Sequence, residues 1–271
     1  MSEGNFFMSN HPFFTNLFQN RKPFDIEIIE CNFADVRNWN YTDSVYPCWL
    51  FYWDPVPGAA LILNSKKIPL KEDHVVLIPP YTKFSTENIR DFQQFYVHFT
   101  APAPYDRTKR NIFLFSAEAV RSFFTKHESC SESGRIPVMI RAMIYQYLSE
   151  IPEKDFLDPE ENQLSPGIRK ALDAINSKID SSLSNQELCK KAGMSRNQFY
   201  ETFRKELGMT PGRYLLNVRM EFARRKLIYS SETIEEVAAA AGYADRFHFS
   251  KAFKKFFHTP PGNYRKPGKK K

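Results

Sequence analysis

The sequence predicts two domains: an N-terminal all-β barrel followed by helices, and a C-terminal all-α domain with two helix-turn-helix units. The 271 residues are enough for two hydrophobic cores. Short β-type runs separated by turn residues extend from Asp25 to about residue 115, a pattern typical of a sandwich or barrel. A helix-turn-helix pattern is present twice between residues 184 and 266, at an offset of 49 to 50 residues.

The charge is divided between the two predicted domains. Residues 166–271 carry 22 Lys and Arg against 10 Asp and Glu, whereas residues 1–165 carry 16 against 21. The formal net charge of the whole chain is +7. A basic C-terminal third beside an acidic N-terminal part indicates that nucleic acid would meet only the C-terminal domain.

The N-terminal part begins with an aromatic stretch that has no periodicity, and we expect an N-terminal arm over residues 1–22. The barrel is predicted over residues 23–115, with a hairpin turn at Asn64 and Ser65. Its predicted strands are Glu27–Phe33, Trp49–Trp53, Ala59–Leu63, Lys66–Leu70, Val75–Ile78 and Gln94–Phe99.

Two helices are predicted over residues 116–151, at Ser116–His127 and Pro137–Ile151. Residues 152–167 contain three prolines and five acidic residues and form the predicted linker. Ile168–Ile179 then opens the C-terminal domain, which is predicted over residues 168–271. The predicted helix Pro137–Ile151 has an apolar stripe that must pack against another surface. This stripe consists of Ile140, Ile144, Tyr147, Leu148 and Ile151.

The first helix-turn-helix unit begins at Ser184, which forms a capping-box pattern with Glu187. Gly193 is expected to end the first helix, because glycine best tolerates the left-handed conformation after a helix. Ser195 is expected to cap the second helix. The inward stripe of that helix is Phe199, Phe203 and Leu207.

The second unit repeats this order, with Thr233 and Glu236 in the capping pattern. Its inward stripe is predicted as Phe249, Phe253 and Phe256. Between the units, Pro211–Ile228 is predicted as a helix of about 27 Å at ~1.5 Å per residue. A rod of that length could hold two reading heads over major-groove segments about 34 Å apart. Since both second helices have cationic outward faces, DNA recognition is favoured over a merely solvated surface.

The C-terminal ~100 residues contain a long and specific set of motifs: Leu188…Ala192-Gly193-Met194-Ser195, Phe203-Arg204-Lys205…Gly208-Met209-Thr210-Pro211…Tyr214, and Gly242-Tyr243…Phe249-Ser250-Lys251-Ala252-Phe253-Lys254-Lys255…Pro261…Tyr264-Arg265. By these residues, this part of the chain resembles the DNA-binding domain of the AraC/XylS family of bacterial transcription regulators. His258 departs from the family pattern, which usually has glycine after the second recognition helix.

A less specific resemblance covers the barrel. Pro57–Leu63, Val76–Thr82 and Tyr96–Phe99 resemble the cupin-type effector-binding domain of many such regulators. The resemblance implies a small-molecule effector, with a sugar as the candidate, since a barrel of eight strands can hold one small ligand. The alternative for the aromatic residues is a hydrophobic core without ligand. The candidate effector-binding residues are Trp49, Phe51, Trp53, Tyr81 and His98.

The family's recognition helices give candidate DNA-binding residues by position. Arginine can read guanine and asparagine can read adenine. Arg204 and Lys254 are expected on backbone phosphates. The residues expected at base edges are Arg196, Asn197, Tyr200 and Glu201 in the first unit and Arg246, Phe247, His248 and Lys251 in the second.

The resemblance also implies partners. We expect double-stranded operator or promoter DNA, a homodimer, and RNA polymerase as a further candidate, with activation favoured over repression. In the family, helices after the barrel commonly pair two subunits, so the apolar stripe of Pro137–Ile151 either pairs subunits or covers its own barrel. The four cysteines show no CxxC spacing and are predicted to be reduced. With no leader pattern or long apolar run, a cytoplasmic protein without membrane contact is predicted.

The sequence predicts neither catalysis nor a metal or other cofactor. Cupin enzymes use clustered metal ligands, whereas His74 and His98 are 24 residues apart here and no His-x-His occurs. No nucleophile-elbow or nucleotide-binding motif is present. Two alternatives remain at this point: a regulator whose barrel only dimerises, and a cupin enzyme fused to a DNA-binding domain.

Overall fold

The computed structural model of the chain describes residues 24–36, 39–127, 134–158, 161, 164–177, 179 and 183–265. The expected arm over residues 1–22 lies outside the described residues, as do Cys130 and the C-terminal lysines. The predicted domain boundaries stay predictions.

The N-terminal part is a sheet domain made of two antiparallel sheets. The larger sheet has the strand order β1-β7-β2-β5-β8 and the smaller one the order β4-β3-β6. Both residues of the predicted hairpin turn, Asn64 and Ser65, have positive φ, as a tight two-residue hairpin requires. The strands are β1 (Glu27–Val36), β2 (Trp49–Val56), β3 (Ala59–Leu63), β4 (Lys66–Pro69), β5 (His74–Ile78), β6 (Ser85–Asn88), β7 (Phe92–Thr100) and β8 (Phe113–Ser116).

Six of these strands correspond to the predicted ones, and β6 and β8 were not predicted. The sequence of β6 is Ser-Thr-Glu-Asn, which has neither aliphatic nor aromatic side chains to mark a strand. The strand β8 has only four residues. Both are held in place by pairing, β6 on β3 and β8 on β5, and not by a local pattern.

The larger sheet buries both of its faces. Along β2, Trp49, Phe51 and Trp53 pack towards two helices, α1 (Glu118–His127) and α2 (Ile136–Ser149). Leu50 and Tyr52 point to the other face, towards the smaller sheet. The apolar stripe predicted on α2 is buried in the first of these cores, and the rings of Phe51 and Tyr147 are 5.5 Å apart. The stripe therefore covers its own sheet.

The C-terminal part is a helical domain with two cores that share one helix. Tyr214 and Leu215 of α6 belong to the first core, whereas Met220, Ala223 and Leu227 belong to the second, so α6 is the predicted rod. The helices are α3 (Pro166–Ser177), α4 (Asn185–Ala192), α5 (Arg196–Leu207), α6 (Pro211–Tyr229), α7 (Ile234–Ala240), α8 (Arg246–Phe257) and α9 (Pro261–Tyr264).

The helix ends follow the predicted caps. Capping boxes join Ser184 to Glu187 and Thr233 to Glu236. Gly193 is left-handed, as predicted. The inward stripe of α8 differs from the prediction, because the fully buried residue is Phe257 and not Phe256. The i, i+4, i+8 spacing from Phe249 therefore matches that of α5.

Candidate functional site

The outward face of α5 carries the residues predicted for DNA contact. Arg196, Asn197, Glu201 and Arg204 are exposed, and Tyr200 is half-buried. The Arg196 guanidinium lies 5.8 Å from the centre of the Tyr200 ring. The face points outward because Phe199, Phe203 and Leu207 are buried on the opposite side of the helix.

The outward face of α8 is similar, and all five of its predicted residues are exposed: Arg246, Phe247, His248, Lys251 and Lys254. Phe247 is 83% exposed, although phenylalanine is usually buried. Asp245 caps the helix by accepting from the backbone N–H groups of Phe247 and His248, each at 2.8 Å. The His248 backbone and ring hold the pKa of Asp245 below its usual range.

A cavity of about 520 Å³ lies between the sheet domain and the helical domain. From the sheet domain it is lined mainly by aromatic and amide side chains, and from the helical domain by α6 and the region around α9. The aromatic lining residues are Trp39, Tyr41, Tyr46, Tyr52, Tyr96 and Tyr264. The polar and charged lining residues are Asn32, Asp35, Gln94, His98, Glu221, Arg224, Thr259 and Asn263.

Four of the lining residues belong to a hydrogen-bonded network that also contains Glu30 and Tyr229, which do not line the cavity. We call this network the interface cluster: Glu30, Tyr46, Tyr96, Glu221, Arg224 and Tyr229. Arg224 reaches Glu30 at 3.0 Å and Glu221 at 2.9 Å. Glu30 also accepts from the hydroxyls of Tyr96 at 2.7 Å and Tyr229 at 3.1 Å. Burial alone would raise the pKa of Glu30, but Arg224 and these donors outweigh it and hold the pKa below its usual value.

His98 and Asp54 are two further buried titratable groups on this side of the sheet. Burial lowers the pKa of His98 to about 3, so its ring is neutral at pH 7, and its contact with Glu30 at 3.7 Å is not an ion pair. Burial raises the pKa of Asp54 to about 7. Gln94 donates to one Asp54 oxygen at 3.0 Å, and the other oxygen has no hydrogen-bond partner. Gln94 in turn lines the cavity.

Residues 188–267 match the family model described as a helix-turn-helix domain. The lactose operon transcription activator of Staphylococcus xylosus is 22% identical over 227 residues, which are 83% of this chain and 70% of that protein. The Msm operon regulatory protein of Streptococcus mutans is 29% identical over 126 residues, 45% of either chain. The chain thus spans less than half of this second relative.

A solved structure, that of unsaturated fatty acid bound ToxT from Vibrio cholerae, has the same two-domain fold. The TM-score is 0.63 at 13% identity, covering 90% of this chain and 96% of that one. The helix-turn-helix match and the named relatives agree with each other. The C-terminal part of the chain is a helix-turn-helix domain of the AraC type, and the chain is similar to DNA-binding transcription regulators of that family.

The structure separates the predicted effector-binding residues into three groups. Trp49, Phe51 and Trp53 are buried against α1 and α2 and line neither this cavity nor a smaller one beside the predicted linker. Tyr81 lines the smaller cavity, and His98 lines the larger one. The alternation of side chains along β2 predicted that they point to two opposite faces of the sheet. It did not indicate which of these faces would line a cavity.

Most of the cavity was missed by reasoning from the sequence. Trp39, Tyr41 and Tyr46 lie in the segment between β1 and β2, which has no periodic pattern. Glu221 and Arg224 lie on α6, which the sequence marks only as a connecting rod. The aromatic residues between β1 and β2 were a weak signal of a binding site. A site that is shared by two domains leaves no local pattern in the sequence.

In the described part of the chain no group of three His, Cys, Asp or Glu residues could hold a metal ion. No helix described here is long and apolar enough to span a membrane.

Proposed function

We propose that this AraC-family regulator reads a specific DNA site with α5 and α8, and that a small effector in the interdomain cavity controls this binding. The DNA-binding half of the proposal is carried by one observation: two equivalent helices, α5 and α8, each present an outward face of positive net charge. The proposed base contacts are Arg196, Asn197, Tyr200 and Glu201 on α5 and Arg246, Phe247, His248 and Lys251 on α8. Arg204 and Lys254 lie about one to two turns further along and are proposed for phosphates.

The position of the cavity supports the second half of the proposal. Its volume of about 520 Å³ falls within the roughly 300–1,000 Å³ typical of small-molecule sites. Side chains of both domains line it, with α6 supplying Glu221 and Arg224. A ligand that prefers one relative position of the domains shifts the population towards it, because it adds its differential binding free energy. Ligand binding can thereby alter how the two reading helices are presented to DNA.

The chemistry of the lining favours an uncharged, hydroxyl-rich effector such as a sugar. Arg224 is the one Lys or Arg residue that lines the cavity in the described part, and Glu30 and Glu221 already neutralise it. Aromatic rings and amide groups suit the apolar faces and hydroxyls of a sugar. The relatives named for lactose and Msm operons agree with this class, whereas ToxT in its solved structure is bound to an unsaturated fatty acid. A carboxylate would meet Glu221 and Asp35 without a free cation.

The quaternary and transcriptional parts of the proposal follow from the family. We propose a homodimer that activates transcription together with RNA polymerase, as the name of the Staphylococcus xylosus relative suggests activation for that protein. The buried stripe of α2 is then not the dimer surface, because it already covers its own sheet.

The effector is tested by thermal unfolding of the full chain with sugars and, separately, with long-chain fatty acids. We expect a saturable rise of the melting temperature with a sugar, because a ligand that binds only the native state stabilises it. Tyr52→Phe and Asn32→Ala, which alter the cavity lining, should reduce that rise. Tyr105→Phe is the matched control, since Tyr105 lies outside the cavity beside Phe156. Stabilisation by fatty acids alone, or equal effects of all three variants, would contradict the proposal.

The DNA-binding half needs a DNA site, which can be selected from a random library with the full chain. The expected result is a shared motif with two half-sites about one helical turn apart, because two recognition helices meet successive groove segments. Selection of no common motif would refute sequence-specific binding without touching the effector result.

A further inference from the structure

We propose that the small cavity at the junction of the sheet domain, the linker and α3 is a binding site for a phosphate group. This site is separate from the effector cavity and goes beyond the proposed function. Among the residues that the structure describes, it is distinguished by three arginines, Arg107, Arg110 and Arg169, around a single lining carboxylate, Asp106.

The size of this cavity fits a small anion. Its volume of about 170 Å³ is below the roughly 300–1,000 Å³ of sites for drug-sized ligands. It corresponds to about five or six water molecules at roughly 30 Å³ each. Inorganic phosphate, or the phosphate of a small phosphomonoester, can occupy such a space. The remaining lining is uncharged: Pro47, Pro80, Tyr81, Thr100, Ala101, Thr108, Leu157 and Leu164.

The charges of the arginines are poorly compensated by protein groups. Arg110 donates to the main-chain carbonyl of Glu206 and lies 6.0 Å from the centre of the Tyr81 ring. Burial lowers the pKa of Arg110 to about 10, which still leaves it charged at pH 7. No ion pair within 4.0 Å joins Arg110 or Arg169 to a carboxylate of the described residues. Buried or half-buried charges are normally paired, so a bound anion would complete the site.

The third arginine is only weakly engaged. The carboxylate of Asp106 lies 3.8 Å from Nε of Arg107, which is too long for a hydrogen bond. The four charged lining groups therefore sum to a formal charge of +2, which complements a phosphate dianion. Guanidinium groups present paired N–H donors in a planar fork that matches phosphate oxygens.

The three arginines of this site come from both domains. Arg107 and Arg110 lie between β7 and β8 of the sheet domain, whereas Arg169 lies in the first turn of α3 in the helical domain. Leu157 and Leu164 come from the predicted linker. A phosphate held by all three arginines would tie the two domains together beside the linker, at a place separate from the interface cluster.

Isothermal titration calorimetry of the full chain at constant ionic strength tests this site, with inorganic phosphate and glucose 6-phosphate as the probes. We expect one saturable site in the natural chain and at least tenfold weaker binding in Arg107→Gln and Arg169→Gln. Arg121→Gln is the matched control, because Arg121 is exposed on α1 and lies outside the cavity. Stronger binding of glucose 6-phosphate would identify a phosphorylated metabolite, and binding no weaker for inorganic phosphate would identify the free ion.

Two results would overturn the proposal. One is the absence of saturable heat with both probes in the natural chain. The other is equal affinity in the natural chain, Arg107→Gln and Arg169→Gln, which would make the effect one of general charge. The two variants lie on different domains, so the test does not depend on a single variant that could fail to fold. The melting temperature of each variant reports whether it folds. The sugar-induced melting shift is measured in the same variants and should persist, because the two cavities share no lining residue.

Discussion

The Arg224 guanidinium lies 3.0 Å from the Glu30 carboxylate, and this ion pair joins the helical domain to the sheet domain. Only 12% of the Arg224 side chain and 3% of the Glu30 side chain are exposed. The hydroxyls of Tyr96 and Tyr229 supply further hydrogen bonds to Glu30. Because each charge would be costly without its partner, the pair favours one relative position of the two domains.

Removing one partner of this ion pair should destabilise the protein strongly. Removing both partners should lower the free energy of unfolding by less than the sum of the two single losses. Arg224→Gln leaves the buried carboxylate of Glu30 without its cation and should cost about 3 kcal/mol of unfolding free energy. The double variant with Glu30→Gln removes both charges and should cost less than the sum of the single variants. Urea unfolding measures all three. Arg225→Gln is the control, because Arg225 has no ion pair within 4.0 Å among the described residues. An equal loss in Arg224→Gln and Arg225→Gln would refute the role of the pair.

Asp54 should make the natural protein less stable as the pH rises. Its folded pKa is raised by burial from 3.8 to about 7, so the folded state holds a proton that the unfolded state has lost. The stability contribution is complete below pH 3.8 and is lost as the pH rises through about 7. Asp54→Asn cannot ionise and should be up to about 4 kcal/mol more stable than the natural chain at pH 8, at ~1.36 kcal/mol per pKa unit.

The pH dependence is measured by urea unfolding at pH 5 and pH 8. The advantage of Asp54→Asn should be much smaller at pH 5, and comparing the two proteins cancels the titration of His98. Asp91→Asn serves as the control, since Asp91 is exposed. An equal difference in stability between Asp54→Asn and the natural chain at both pH values would show that the pKa of Asp54 is not raised in the folded state.

Two phenylalanines of α8 should separate DNA binding from stability. Phe247 is 83% exposed and Phe253 is fully buried. Phe247→Ala should leave the melting temperature unchanged and weaken binding to the selected DNA. Phe253→Ala should cost about 3–5 kcal/mol of stability by leaving a cavity. Fluorescence anisotropy with labelled DNA measures the affinities, and full DNA affinity in Phe247→Ala would remove this side chain from the interface.

Arg196→Ala should weaken DNA binding by about 1–3 kcal/mol at one base position, while the sugar-induced melting shift stays intact. Lys254→Ala should instead weaken binding to all sequences and reduce the slope of log affinity against log salt by about 1. Salt titrations of binding to selected and mismatched DNA distinguish the two roles. Identical salt slopes for Lys254→Ala and the natural chain would exclude a phosphate contact.

His258 should act at the domain interface. It ends α8 with a φ of 56°, and its ring Nε2 lies 3.2 Å from the Asn40 carbonyl oxygen of the sheet domain. His258→Gly relieves the left-handed backbone but loses this contact, so stability should change by about 1 kcal/mol or less. Tryptic cleavage after Lys154 in the predicted linker should become several-fold faster. His248→Gln, at the exposed start of the same helix, should cleave at the natural rate, and an unchanged rate in His258→Gly would refute the contact.

The helical domain could be predicted closely because its signals are local. Capping boxes, the left-handed Gly193 and the stripe of α5 each depend on residues within one or two turns. The same locality let the outward faces of α5 and α8 be predicted residue by residue. Phe257 was within reach of the same local reasoning, because it completes the i, i+4, i+8 spacing seen in α5, and its ring lies 5.3 Å from that of Tyr264.

The effector side could not be predicted in the same way. Strand alternation placed Trp49, Phe51 and Trp53 on one face of β2, but the neighbouring helices decide that this face is core. The residues of the cavity come from β1, the segment after it, β2, β7, α6 and the region around α9. No periodicity relates positions that far apart in the chain.

The sequence by itself determined the order of the helices and of six strands, the paired helix-turn-helix units, the division of charge and the outward side chains proposed for DNA contact, because composition, short-range periodicity and caps encode them. Only the tertiary structure decided which sheet face is core, where the cavities lie and which charges pair across the domains. Those features depend on contacts such as Glu30 with Arg224, 194 residues apart, and a contact at that separation is fixed by packing and not by local pattern.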